Sequence, residues 1–85
     1  MDIQYKPSFL RDFKRLPKEV QDEAKERITL FDDKGNHKKL KVHKLKGKLK
    51  TYSSFSVTYS HRIVFECTTK TIVTFMAIGD HDVYK

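Results

Sequence analysis

The chain predicts an α+β domain, a helical hairpin packed on one face of a small antiparallel twisted sheet in the order β-α-α-β-β-β. Three observations carry this expectation. Apolar residues recur at helical spacing from Phe9 to Phe31 and at strand spacing beyond Thr51. The connections between the last three candidate strands are short, which implies antiparallel pairing. Eighty-five residues, 38% hydrophobic and 12% aromatic, suffice for one core, so residues 1–85 read as a single globular domain and not a disordered chain.

Residues 3–6 form a candidate strand that ends at Pro7, which has no N–H for a ladder. Ser8 reads as an N-cap, its hydroxyl accepting from an amide of the next turn. Phe9, Phe13 and Leu16 share a helical face, with Arg11, Asp12, Lys14 and Arg15 on the other. Pro17 suits the first turn of a second helix. There Val20, Ala24, Ile28 and Phe31 fall on one stripe, and Glu19, Asp22 and Glu23 complement the positive N-terminal end. Residues 32–36 stop that helix, with Gly35 able to take the left-handed conformation.

Beyond Gly47 the pattern is β. Residues 51–59 place Phe55, Val57 and Tyr59 on one face and Ser54, Ser56 and Thr58 on the other. Residues 61–67 set Ile63, Phe65 and Cys67 against Arg62, Val64 and Glu66. Residues 71–78 are rich in β-branched side chains and follow a hairpin turn at residues 68–70. Two helices cover only one face of such a sheet, so the other is expected to lie open, with a groove beside the basic segment.

That segment holds all of the surplus positive charge. Seven lysines lie between Lys38 and Lys50, and without them the 18 basic and 11 acidic residues would balance. No Asp or Glu occurs between Asp33 and Glu66. A one-signed strip on a balanced scaffold is the signature of a polyanion-binding surface, with Lys41, Lys44, Lys46, Lys48 and Lys50 as its candidate contacts. The net charge of +7 calls for an acidic partner, nucleic acid or an acidic protein that masks the same surface. No apolar run is long enough to span a bilayer and no signal-peptide pattern is present, so the expected location is cytoplasmic, with no membrane partner. A single cysteine, Cys67, cannot form an internal disulfide.

Four residues can carry chemistry. Arg62 alternates away from Ile63 and Phe65, where a guanidinium can clamp a phosphate and stabilise charge growing on it; the alternative is a solvated strand arginine. His81 is the best general acid or base, flanked by Asp80 and Asp82, which can orient the ring. Tyr84 can stack on a base or donate to a phosphate. For both, the alternative is a polar tail with a packed aromatic. His43 lies among lysines that disfavour its charged form, leaving it able to accept a proton; it also reads as a phosphate contact or a plain surface histidine. The histidines and Cys67 lack metal-ligand spacing, and no Gly-rich phosphate loop occurs, so neither metal nor cofactor is expected.

Several segments, in this order, resemble one known family. They are the phenylalanine-rich helix after a strand, Leu16-Pro17, Lys44-Leu45-Lys46-Gly47, His61-Arg62-Ile63-Val64-Phe65, and Ile78-Gly79-Asp80-His81-Asp82-Val83-Tyr84. Over nearly the full length the chain resembles the RelE/ParE toxin superfamily of bacterial type II toxin–antitoxin modules. Its ending is most similar to the RelE and YafQ-type branch. The resemblance implies a RelE-like fold and a ribosome-dependent mRNA endonuclease (an mRNA interferase). Such an enzyme cuts the message in the ribosomal A site and is silenced by a cognate antitoxin with an acidic or amphipathic segment. By position it implies that Arg62 contacts the scissile phosphate, that His81 and Tyr84 are the C-terminal histidine and tyrosine of the active site, and that His43 is the histidine preceding the Leu-x-Gly segment. The lysine strip would hold ribosomal RNA and message.

The implied chemistry is attack of a ribose 2′-OH on the adjacent phosphate, leaving a 2′,3′-cyclic phosphate. It needs no metal, because the nucleophile belongs to the substrate. One departure stands out: where many relatives carry basic residues or a histidine, this chain has Ser53, Ser54 and Ser56. Two other readings share the same residues: a ParE-like toxin of this fold that inhibits DNA gyrase without nuclease activity, and a nonenzymatic nucleic-acid-binding domain.

Overall fold

Pro7 does more than end a strand. In the computed structural model, which describes residues 2–45 and 51–80, it is the first residue of helix α1 (Pro7–Lys14), after strand β1 (Asp2–Tyr5). Its fixed φ suits a helix start, and the missing N–H would have had no intrahelical partner there. Lys6 therefore holds the N-cap position, and Ser8 lies inside the helix. Pro17 caps the second helix, α2 (Lys18–Phe31). Between the two helices the Gln21 side-chain amide donates to the Leu16 carbonyl at 2.9 Å, closing the corner.

The C-terminus of α2 is finished by side chains. Asn36 Nδ2 donates to the Leu30 carbonyl at 2.9 Å, and His37 Nε2–H to the Phe31 carbonyl at 2.8 Å, so two of the helix's orphan carbonyls are satisfied. Gly35 is not left-handed. It sits in a short 3-10 turn (Lys34–Asn36), with its N–H donating to Asp33 Oδ1 at 2.9 Å. The non-glycine residue with positive φ among those described is Lys41, at 61°.

Strands β2 (His43–Lys44), β3 (Tyr52–Ser56), β4 (Arg62–Cys67) and β5 (Ile72–Gly79) follow. Among the described residues they join β1 in a five-stranded sheet of order β1-β5-β4-β3-β2. The meander is antiparallel, as the short connections require. The sheet as a whole is mixed, because β1 pairs in parallel with β5, Ile3 opposite Val73 and Tyr5 opposite Phe75. Helix α1 packs on β5 and so brings the first strand alongside the last; four largely exposed residues offer no pattern that would reveal that direction. No helix among the described residues is long and apolar enough to cross a membrane.

A register shift sets the packing. Val64 pairs with Ala77 and Phe65 with Phe75, which leaves Met76 as an extra residue in β5. The extra residue re-phases the strand, so Phe75 and Ile78, three apart, both enter the core. Ser8 Oγ donates to the Met76 carbonyl at 2.9 Å, so the hydroxyl serves the bulge and not its own helix. Phe31 is the hub of the core. It stacks on His37 (4.5 Å, 12°) and on Phe55 (4.6 Å, 11°), and meets Phe65 and Phe75 edge-on. Truncating such a residue to alanine costs about 3–5 kcal/mol, a large share of a small domain's stability.

The face away from the helices is not open at its centre. Ser54 and Val64, opposite each other on β3 and β4, are 0% and 4% exposed, and neither belongs to the core cluster. The groove expected on an uncovered face lies instead at the end of the β3–β4 hairpin.

Candidate active site

Strand β3 supplies a serine to each of two candidate catalytic side chains. Ser56 is the cross-strand partner of Arg62, and Ser54 that of His43. In antiparallel strands directly opposed residues share a face, and residues two apart on one strand do as well. Arg62, Ser56, Ser54 and His43 are therefore on one side of the sheet. The Arg62 guanidinium donates from Nη1 to Ser56 Oγ at 2.7 Å, so the half-buried arginine leans over β3 toward the edge that bears His43. With strands about 4.8 Å apart and about 3.4 Å per residue, the two backbones lie about 12 Å from each other. Two long side chains can close that separation over one nucleotide.

The imidazole of His43 is held in a defined tautomer. Its Nδ1 lies 2.9 Å from the Lys41 carbonyl, which can only accept, so Nδ1 carries a proton. In the neutral ring Nε2 then presents its lone pair on the side of Ser54, whose Oγ is 3.5 Å away, at the limit of hydrogen-bonding reach. The left-handed conformation of Lys41 is what turns that carbonyl beneath the ring of a residue only two positions on.

Beside Arg62 is a cleft of about 570 Å³. Arg27, Lys39, Lys41 and Arg62 line it together with Ser56, Thr58, Tyr59 and Ser60, and among the described residues no carboxylate lines it. Arg27 is paired with Glu23 at 2.9 Å. A second cleft of about 430 Å³ opens on the helix side, with Phe31, Val42, Phe65 and Val73 as its floor and Lys34, Lys44 and Lys70 around it.

The structure thus brings Arg62 and Lys41 together, with His43 attached through the Lys41 carbonyl. It places Lys44 opposite Ser53, on the other face of the edge strand, and both His43 and Lys44 border the second cleft, whereas the cleft beside Arg62 is bordered by Lys41. His81 and Tyr84, and Lys46, Lys48 and Lys50 of the strip, lie outside the described residues. Strand β5 ends at Gly79, the cross-strand partner of Arg62. The sequence reading gave no site role to Arg27, Tyr59 or the two serines, and counted Lys39 only as one of the seven lysines. Arg27 is hidden on a helix among ordinary charges, and serines on a strand carry no signal until a register assigns their neighbours.

A helical hairpin on one side of a five-stranded mixed sheet matches the fold of the RelE-like toxins. The family model described as ParE-like toxin domain matches residues 18–85, and the chain belongs to this family within the RelE/ParE toxin superfamily. Comparison with curated proteins gives no match. Among solved structures, YafQ from E. coli strain BL21(DE3) superposes with a TM-score of 0.80 at 22% identity, over 98% of this chain and 96% of that one. The YoeB–YefM complex from Staphylococcus aureus gives 0.74 at 22% identity, over 95% and 97%. The toxin–antitoxin complex RelBE2 from Mycobacterium tuberculosis gives 0.69 at 13% identity, over 94% and 96%. At these identities the superpositions define the shared fold.

Proposed function

We propose that this toxin domain is a ribosome-dependent mRNA endonuclease in which His43 is the general base, Arg62 the electrophilic clamp and His81 the general acid. The observation that carries the reading is the pair of serine-linked side chains on one sheet face, Arg62 on Ser56 and His43 at Ser54, with a cleft beside the arginine that Lys39 and Lys41 also line. Neutral His43 takes the 2′-OH proton on Nε2, and the freed oxygen attacks the adjacent phosphorus in line. Arg62 donates to the phosphoryl oxygens as negative charge accumulates on them. His81 returns a proton to the departing 5′-oxygen, leaving a 2′,3′-cyclic phosphate and a 5′-hydroxyl. Each proton transfer contributes about 10²–10⁴-fold. Tyr84 packs against the bound message or donates to its phosphate. Lysines 41, 44, 46, 48 and 50 hold message and ribosomal RNA. The silencing partner is an antitoxin with an acidic, amphipathic segment; the YoeB–YefM and RelBE2 structures are themselves toxin–antitoxin complexes.

The test is end-group analysis of 5′-labelled message incubated with programmed ribosomes and purified protein. Wild type should leave cyclic phosphate ends, and Arg62→Ala, His43→Ala and His81→Ala should each slow cleavage by about a hundredfold or more. If all three cut as fast as wild type, the assignment is wrong. Inhibition of gyrase supercoiling by the same preparation, without cleaved message, would instead favour a non-nuclease toxin.

A further inference from the structure

Tyr59 stands at the tip of the β3–β4 turn with 99% of its surface exposed, although strand alternation would have set it on the packed face with Phe55 and Val57. A ring left wholly in water adds nothing to the fold, yet the turn beneath it is firmly built. Thr58 Oγ1 accepts from the Ser60 and His61 amides at 3.2 and 3.1 Å. With both lone pairs engaged, it donates its one proton to His61 Nδ1 at 2.8 Å. The Val57 and Thr58 amides donate to the His61 carbonyl at 2.9 and 3.3 Å. His61 is thereby committed to the turn.

The ring borders the cleft that holds Arg27, Lys39, Lys41 and Arg62. A protein-binding hot spot would sit among apolar neighbours that exclude water. The residues around Tyr59 are Thr58, Ser60 and cations, with Leu40 and Val57 buried beneath. Fixed cations together with a presented aromatic face suit a polyanion that also offers flat rings, and a base has a free face only when it is unpaired.

We infer that Tyr59 is a nucleobase-stacking platform, and that the cleft takes single-stranded RNA with one base on the Tyr59 ring and its phosphates among Lys39, Lys41 and Arg62. The inference rests on the proposed nuclease reading for the choice of RNA, and it adds the residue that grips the base. Stacking uses the ring and not the hydroxyl, and a side chain this exposed can be removed without disturbing the core.

The experiment is fluorescence anisotropy with a labelled single-stranded octaribonucleotide carrying 2′-O-methyl groups, which cannot be cut by 2′-OH attack. Tyr59→Ala should weaken binding by about 5- to 150-fold with the slope of log K against log salt unchanged, and Tyr59→Phe should stay within about twofold of wild type. Lys39→Ala should make that slope shallower by about 0.7. The inference is overturned if Tyr59→Ala binds like wild type, if Tyr59→Phe loses as much as Tyr59→Ala, or if wild type does not bind the octamer. Binding through Tyr59 without message cleavage would leave the stacking role standing and remove the nuclease; cleavage without Tyr59-dependent binding would do the reverse.

Discussion

Removing the Ser56 hydroxyl tests whether β3 positions Arg62 or merely lies beneath it. The bond from Arg62 Nη1 to Ser56 Oγ is 2.7 Å, short and charge-assisted. Hydrogen bonds to charged groups contribute about 1.5–3 kcal/mol when desolvated. Arg62 is only half-buried, so water recovers part of that and about 1–1.5 kcal/mol remains. Ser56→Ala should then slow single-turnover cleavage of ribosome-bound message by about 5- to 10-fold. Message affinity should change little, and the denaturant midpoint should fall by no more than the equivalent of about 1–1.5 kcal/mol. Arg62→Ala removes the donor itself and should lose about 10²–10³-fold. The double variant should match Arg62→Ala within about twofold, because a residue that acts only through another contributes nothing once the other is gone. A double variant a further 5- to 10-fold slower would refute the positioning role.

Three further outcomes follow from named contacts. Lys41→Gly relieves a left-handed conformation that costs an L-residue about 1–2 kcal/mol, offset by about 0.5–1 kcal/mol of added chain entropy. The thermal midpoint should hold or rise while the salt slope of oligonucleotide binding falls by about 0.7, one lost phosphate contact. Burial, and secondarily the negative charge of Asp32, raise the Tyr5 phenol above its usual value of 10.0. The folded state thus favours the neutral phenol. Its contribution is complete below pH 10 and is lost as pH rises through the higher folded value. As pH rises from 10.0 through that higher value, wild type should lose stability faster than Tyr5→Phe, and equal losses would contradict this. His37→Ala removes both a ring stacked on Phe31 and a donor to the Phe31 carbonyl. The denaturant midpoint should drop by an amount equivalent to about 1–2 kcal/mol.

Element order was legible because the apolar residues are regular: Phe9, Ala24 and Phe31 are buried and Phe13, Val20 and Ile28 pack against them, as helical spacing demands. What escaped were features decided by distant partners. Ser8 looks like a cap by local rules, yet its hydroxyl is taken by a carbonyl 68 residues away. The parallel β1–β5 pair follows from where α1 packs. Gly35 is free to turn left-handed by local rules, but Asp33 closes that turn in 3-10 form, and the positive φ falls on Lys41.

The site was legible where charge and strand phase coincide, and illegible where function depends on which residue lies opposite. Arg62 could be assigned away from the core because its neighbours Ile63 and Phe65 alternate inward, and the register agrees. The lysine strip read as one surface, but a strand sends successive side chains to opposite faces. His43 is opposite Ser54 and Lys44 opposite Ser53, although both border the second cleft. The same alternation gives the serine-rich strand its logic. A basic residue or a second histidine on β3 would compete for the phosphate, whereas Ser56 and Ser54 are neutral and short. They hold Arg62 and stand at Nε2 of His43 without adding charge. On this argument the serines move the catalytic task onto residues that β3 supports, and Ser54→Lys should impair cleavage, not improve it, because a cation would be forced into a fully buried position.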